Sequence, residues 1–365
     1  MPPQVSIVVP TYNERENLPI LLERINRVMK GFEFEVIVVD DNSPDGTWAL
    51  AEKLARDRYP WLRVIRRIGE RGLASAVVRG FKEARGELIV VIDADLQHPP
   101  EVIPLMIKKA LSSNADLVVA SRYAPGGGVE GWSRLRRVMS LVATLIAKLL
   151  LPESKCTSDP LSGFFLVRRS LVSRCMCKLK PKGYKILLEV LVKCNPRRVV
   201  DVAYTFRPRA RGTSKLGVKT IIEYIVHVLR LQEYRLMKNA LVGLSGIGVL
   251  LGLLHLTTDV LSLSNEVGYG IALESSIVNN YVLNDLLVFR GRRSTGFFRG
   301  LVDYHLAVGV GALVNYSTFT VLTLLGVWKY LAALVGVALG FIANYLMSEH
   351  YVWRKTTFGG YSKGA

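Results

Sequence analysis

Apolar and polar positions along the chain fall into two regimes. From Met1 to about Arg230, apolar runs are short and broken by charges, Pro and Gly. Beyond Lys238 come four long apolar stretches, Ala240–Thr258, Val267–Phe289, Leu301–Val327 and Tyr330–Trp353. Each reaches the roughly 20 residues that a helix needs to cross about 30 Å of hydrocarbon. Four membrane spans are expected, with two spans plus interfacial helices as the other arrangement the pattern allows. The second and fourth stretches carry Glu274, Asn279, Asn280, Asn284, Asp285, Asn344 and Glu349. Such groups are expected to face other helices or a membrane interface.

The first regime has its own rhythm. Apolar, β-branched runs at Val5–Val9, Glu35–Val39, Leu88–Ile92 and Leu117–Ala120 alternate with helix-like stretches at Asn17–Met29, Thr47–Arg58 and Leu73–Ala84. This alternation predicts an α/β fold, a mostly parallel sheet with helices on both faces. Trp132–Leu151 and Val218–Leu236 show apolar positions at helical spacing; in the first, Arg134, Arg136, Arg137 and Lys148 fill the remainder. Both read as amphipathic helices on an anionic membrane surface, or as helices packed on the soluble core. The expected division is a sheet domain over 1–217, an interfacial helix over 218–237, and a membrane domain over 238–365.

Charge and composition sharpen this picture. Lys and Arg number 48 against 30 Asp and Glu, a net +18, yet 50% of residues are hydrophobic and the mean hydropathy is +0.26. A basic nucleic-acid binder is charged throughout, whereas only 21% of this chain is charged, so no nucleic-acid partner is expected. The apolar content excludes a disordered chain, and four Cys exclude a disulfide scaffold. The first predicted loop, His255–Glu266, holds no Lys or Arg, and the third only Lys329. The second holds Arg290, Arg292, Arg293 and Arg299, and the C-terminus Arg354, Lys355 and Lys363. The positive-inside bias predicts a multi-pass protein with both termini and the sheet domain in the cytoplasm. No signal peptide is expected, because the apolar run Val5–Pro10 is short. Cys156, Cys175, Cys177 and Cys194 are expected as reduced thiols, without zinc-site spacing. The membrane part also repeats: IVNNYVLNDLLVFR (277–290) returns 64 residues later as FIANYLMSEHYVWR (341–354), which predicts two duplicated helical hairpins.

Candidate chemistry lies where strands end, because ligands of such sheets sit at the carboxyl ends of the strands. The first run is followed by Pro10–Glu14, the second by Asp40–Thr47, and the third by Asp93–Pro100. Asp93, Asp95 and Gln97 recur at every second position beyond a buried strand. Oxygen ligands of this kind suit Mg²⁺ or Mn²⁺, which keep some waters and bind substrate phosphates. The five His show no ligand spacing, and no Walker or Gly-x-Gly-x-x-Gly fingerprint stands in strand context.

VSIVVPTYNERENL, VIVVDDNSPDGT and LIVVIDADLQHPPE resemble the family 2 glycosyltransferases, nucleotide-sugar enzymes of the Rossmann-like GT-A fold. ASRYAPGG, Trp132 with Arg136-Arg137, DPLSGFF and RARGTSKL resemble the dolichol-phosphate mannose synthases within it, over about residues 4–225. The membrane part resembles the GtrA-like four-span domains. The resemblance implies an inverting transfer of mannose from GDP-mannose to dolichyl or another polyprenyl phosphate beside membrane lipids. It implies nucleotide-sugar contacts from Pro10, Tyr12, Glu14, Val39, Asp41, Asp93, Ala94, Asp95 and Gln97, with the metal on Asp93, Asp95 and Gln97. Lys185, Arg209 and Lys215 are implied as cations over the diphosphate, with Arg207 and Arg211 beside Arg209. Arg122, Arg136 and Ser140 are implied around the acceptor phosphate, and Asp95, Arg122, Arg136 and Arg209 in catalysis. Asp159 is expected to orient Arg side chains or the sugar. Gly126–Gly128 is expected as a mobile loop near the acceptor. The alternatives are transfer of glucose from UDP-glucose to undecaprenyl or dolichyl phosphate, and a glycolipid flippase whose first domain only tethers it.

Overall fold

The β-branched runs become the centre of a seven-stranded sheet. The structure, a computed structural model, describes residues 3–180, 183, 185–208, 218–292 and 295–353. Arg209, Arg211, Lys215, Arg293, Arg354, Lys355 and Lys363 lie outside the described residues. The chain divides into two units, Met1–Leu231 and Gln232–Ala365.

The first unit runs in the order β1 (Val5–Thr11), α1 (Leu18–Val28), β2 (Phe34–Asp40), α2 (Thr47–Asp57), β3 (Leu62–Arg66), α3 (Leu73–Glu83), β4 (Leu88–Val91), α4 (Ile103–Ser112), β5 (Leu117–Ser121) and β6 (Gly128–Val129). It continues with α5 (Arg134–Leu150), β7 (Phe165–Arg168), α6 (Arg169–Cys175), α7 (Ile186–Glu189), β8 (Val199–Ala203), β9 (Thr205–Phe206) and α8 (Val218–Leu231). The sheet order is β3-β2-β1-β4-β7-β5-β8, and β7 alone runs antiparallel to its neighbours. Every residue of β1 is buried, as expected of a parallel strand covered on both faces. Successive side chains alternate between two cores. Ile7, Val9, Val36, Val38 and Val90 pack with α1 and α4, and Val8, Ile37, Val39, Ile89 and Val91 pack with α3. The predicted GT-A-like fold is the observed one.

Three local expectations are corrected. Gly126–Gly128 is not a free loop: Gly128 and Val129 pair with Thr205 and Phe206 as β6 and β9, and a Cβ on Gly127 would stand 2.7 Å from the Ser121 carbonyl oxygen. Only glycine allows that return of the chain. Cys175 and Cys194 form a disulfide, because the ends of α6 and of the π-helical turn Val190–Cys194 bring their Cα atoms to 5.1 Å. Cys156 and Cys177 remain thiols. The helix expected over Val218–Leu236 breaks after Leu231, where Glu233 and Tyr234 take left-handed φ of 61° and 57°. The next helix therefore begins at Arg235, within the stretch assigned to the interfacial helix.

α5 and α8 pack through narrow faces. Thr144 and Ala147 of α5 and Tyr224, Val228 and Leu231 of α8 are buried, and the Tyr224 hydroxyl donates to the Ala143 carbonyl at 2.5 Å. Leu135, Val138, Leu141, Val142 and Leu145 of α5, with Ile221, Ile222, Ile225 and Val226 of α8, stay exposed. An apolar surface of that extent is characteristic of membrane contact.

The second unit holds α9 (Arg235–His255), α10 (Asn265–Leu283), α11 (Phe297–Leu324) and α12 (Lys329–Met347), helices in the four predicted stretches. Among the described residues, Arg235–Val260 and Phe297–Leu324 are long and apolar enough to cross a membrane. The two copies of the repeated segment make matching contacts. Gly246 of α9 abuts Asn280 of α10, and Gly311 of α11 abuts Asn344 of α12. Phe289 and Trp353, equivalent positions, stack at 4.6 Å with planes 9° apart. The polar positions of the second and fourth stretches face inward in part. Glu349, 1% exposed, accepts from Arg235 at 3.0 and 3.1 Å, from Arg292 at 2.5 Å and from the Tyr345 hydroxyl at 2.9 Å. A charge removed from solvent in this way requires such partners.

Candidate active site

Three strand ends converge as the order β2-β1-β4 requires, and each turn contains a residue with left-handed φ: Asn13 (59°), Asn42 (53°) and Leu96 (62°). Asn tolerates that region through its short polar side chain; a buried Leu does not, at a cost of about 1–3 kcal/mol. Leu96 separates Asp95 from Gln97 and reverses the chain there. Pro10 and Val39 are register partners on β1 and β2. Tyr12 is 40% exposed; the Arg71 guanidinium lies 4.9 Å from its ring centroid and donates to its hydroxyl at 3.0 Å. Glu14 accepts from the Asn17 amide at 2.7 Å, and Ala94 is buried.

The Asp40-Asp41 pair divides its work. Asp40 accepts from Thr11 and Ser43 and closes the turn. Asp41 accepts from the Arg67 side chain, at 2.7 Å from Nε, and from the Gly72 amide at 2.8 Å. Its carboxylate thus holds the Arg67–Gly72 segment. Neither Arg67 nor Arg71 stood out in the sequence, because their partners lie 26 and 59 residues away.

A cavity of about 500 Å³ gathers seven predicted residues: Asp93, Asp95, Gln97, Arg122, Arg136, Ser140 and Lys185. Pro10, Tyr12, Glu14, Val39 and Asp41, at the ends of β1 and β2, do not line it, and neither does Ala94, buried between Asp93 and Asp95. The cavity's other wall is apolar, with Val138, Val142 and Ile146 of α5 and Ile221 and Ile225 of α8. Arg122 at the end of β5 grips Asp159 through Nε at 2.7 Å and Nη2 at 2.8 Å, as expected of an orienting carboxylate. Burial opposes the Arg122 charge, but the Asp159 hydrogen bonds and charge outweigh it and hold its pKa above the ordinary guanidinium value. The Tyr123 hydroxyl donates to Ser140 at 2.8 Å. The Lys185 ammonium donates to the Leu161 carbonyl at 2.9 Å. Burial, and then the nearby Arg122 charge, lower its pKa to about 8, against the pull of Asp159 and Asp93.

No sequence pattern singles out His98. It is buried, its Nδ1 lies 3.0 Å from the Tyr204 hydroxyl, and its Nε2 lies 3.5 Å from Asp93 Oδ2. With no ligand spacing to flag it, only its position after the acidic turn marked it.

Residues 6–175 match the family model "Glycosyl transferase family 2", and residues 238–353 match "GtrA/DPMS, transmembrane domain". The fold and the acidic strand ends therefore define a GT-A-like glycosyltransferase that is also a membrane protein. A dolichol-phosphate mannosyltransferase of Pyrococcus furiosus is 44% identical over 355 residues, covering 96% of this chain and 99% of its own. One of Saccharomyces cerevisiae is 38% identical over 249 residues, covering 66% of this chain and 91% of its own. The chain belongs to the dolichol-phosphate mannosyltransferase family. Among solved structures, glucosyl-3-phosphoglycerate synthase of Mycobacterium tuberculosis, in complex with Mn²⁺, UDP and glucosyl-3-phosphoglycerate, is 22% identical with a TM-score of 0.48, covering 63% of this chain and 80% of its own.

Proposed function

We propose that the protein transfers mannose from GDP-mannose to dolichyl or a related polyprenyl phosphate at the cytoplasmic face of a membrane, inverting the anomeric centre. One observation carries the reading: the cavity is acidic and cationic at one end and apolar along α5 and α8. Such a lining suits an amphiphile with a phosphate head that meets a diphosphate donor. The relatives that match most of the chain are named mannosyltransferases, which disfavours UDP-glucose as donor and a non-catalytic tether.

The donor set fits Mg²⁺ or Mn²⁺. The Gln97 amide nitrogen donates to the Arg207 carbonyl at 3.2 Å, which leaves its Oε1 as the ligand atom. A Cβ on Gly163 would stand 2.9 Å from Asp93 Oδ2, so glycine there keeps space open at that carboxylate. When bound by Asp93, Asp95 and Gln97, the dication supplies Lewis-acid neutralisation of the diphosphate.

The acceptor needs no protein base. A phosphate monoester, with its second pKa near about 6, is largely dianionic at neutral pH. Its oxygen forms the new bond to the anomeric carbon as the carbon–oxygen bond to the diphosphate breaks, and the electron pair leaves with GDP. Arg122, Arg136 and Ser140 orient the acceptor, and Lys185, Arg209 and Lys215 stabilise the leaving diphosphate. Tyr12 and Asp41, with Pro10, Glu14 and Val39, hold the nucleotide. The four helices of the second unit span the bilayer, with both termini cytoplasmic.

Incubation with radiolabelled GDP-mannose or UDP-glucose, a polyprenyl phosphate and Mg²⁺ or Mn²⁺ tests the reaction. Label from GDP-mannose should enter the organic phase; label from UDP-glucose alone would reverse the donor assignment.

Lys185 adds a pH signature. Its cation is present below a pKa of about 8 and is lost as pH rises through that value. We expect kcat/KM for the donor to fall above pH about 8 in the wild type, and Lys185→Arg to flatten that limb. Stability moves the other way: between about 8 and the ordinary 10.5 the unfolded chain binds more protons, so stability rises with pH. An unchanged alkaline limb in Lys185→Arg would exclude Lys185 as its origin.

A further inference from the structure

Trp132 lies just before Ser133, whose side chain caps α5 by accepting from the Arg136 amide at 3.2 Å. Its ring makes an edge contact with Phe206 at 5.4 Å, which fixes its plane. The Arg136 guanidinium lies 4.6 Å from the ring centroid and that of Arg122 lies 5.4 Å from it. One indole thus faces both cations proposed to bind the acceptor phosphate. Two like charges near one another repel unless something offsets them. Asp159 already offsets the Arg122 charge from one edge; an aromatic face attracts both cations without adding a second negative charge that would oppose an anion. Arg122 already uses Nε and Nη2 on Asp159, which leaves Nη1 for a ligand.

The indole N–H supports this reading. Trp132 Nε1 is buried, with no hydrogen-bond partner among the described residues. A buried Trp usually finds an acceptor, so hydrogen bonding does not account for Trp at this position. Phe would fill the site without an unsatisfied donor. What Trp offers over Phe is the strongest cation-binding face of the aromatic side chains.

We infer that Trp132 is a positioning residue of the acceptor site: its ring holds the Arg122 and Arg136 guanidiniums as a spaced pair that receives the phosphate monoester. The inference rests on the proposed acceptor and deepens it.

The test measures equilibrium binding of a short-chain prenyl monophosphate to the full-length protein in detergent, together with kcat and both KM values. Trp132→Leu should weaken binding at least tenfold and raise acceptor KM in proportion, with donor KM within twofold. Trp132→Phe, which keeps an aromatic face, should lose about threefold and unfold at or above the wild-type temperature. In an Arg136→Met background the Trp132→Leu loss should shrink to within about twofold, because the ring acts by spacing the two cations and only one then remains. Should Trp132→Leu prove unstable, the Trp132→Phe and Arg136→Met cycle reads the same coupling. Binding by Trp132→Leu within twofold of wild type, or fully additive losses with Arg136→Met, would overturn the inference alone. Failure of the wild type to bind the monophosphate would overturn the acceptor reading with it.

Discussion

Asp95→Asn is expected to lower kcat by roughly a thousandfold while the protein stays folded, the scale of removing one preorganised electrostatic contact and a metal ligand together. Asp95 is 5% exposed, and its Oδ1 accepts from the Gln97 amide at 3.1 Å across the left-handed Leu96. Asn is nearly isosteric and retains that acceptor, so the turn survives and only the charge is lost. Thermal unfolding should therefore shift by no more than a few degrees. Mn²⁺ binding, read by the loss of the free-ion paramagnetic resonance signal, should weaken along with transfer. Wild-type transfer by Asp95→Asn would remove the carboxylate from the mechanism and with it the proposed enzyme site.

The second large effect concerns the Arg122–Asp159 pair. Asp159 is fully buried and Arg122 is 9% exposed, and two charge-assisted hydrogen bonds join them. Asp159→Asn leaves a buried guanidinium without its counter-charge, and breaking such a pair costs about 3–5 kcal/mol. For a unit of this size that corresponds to a fall of roughly 6–20 °C in unfolding temperature, measured by calorimetry. Sugar transfer should also fall at least a hundredfold, since Arg122 loses the partner that aims it. The double change Arg122→Met with Asp159→Leu separates the two effects. Apolar replacement of a buried pair is often neutral or stabilising, so stability should return while transfer does not. Recovery of transfer in the double variant would make the pair structural only.

Much of the first unit was legible because β1, β2, β4 and β5 are short β-branched runs buried almost throughout. A continuous run of four or five such residues, bounded by Pro, Asn and Asp, reads as a buried strand by its length and its β-branching. Acidic residues directly after three such runs marked the site for the same reason: parallel strands end on one edge. Less visible were the strands that carry no such run. β3, LRVIR, is interrupted by Arg63, which in the fold lies over Glu35 at 2.9 Å. The antiparallel β7 enters between β4 and β5, an insertion that no local pattern encodes.

The sequence by itself determined the two-part plan, the acidic strand ends and the helices in the four long apolar stretches. Periodicity and chemistry along a few dozen neighbouring residues suffice for each of these. Only the tertiary structure decided which side chains meet: Arg122 with Asp159, Asp41 with Arg67, Cys175 with Cys194, and one Trp132 ring with two guanidiniums. The reason is range. Strand and helix signals are set by residues one to four positions apart, whereas Arg122 reaches Asp159 across 37 residues and Asp41 reaches Arg67 across 26. Those pairings depend on the order in which strands enter the sheet, and no local propensity records that order.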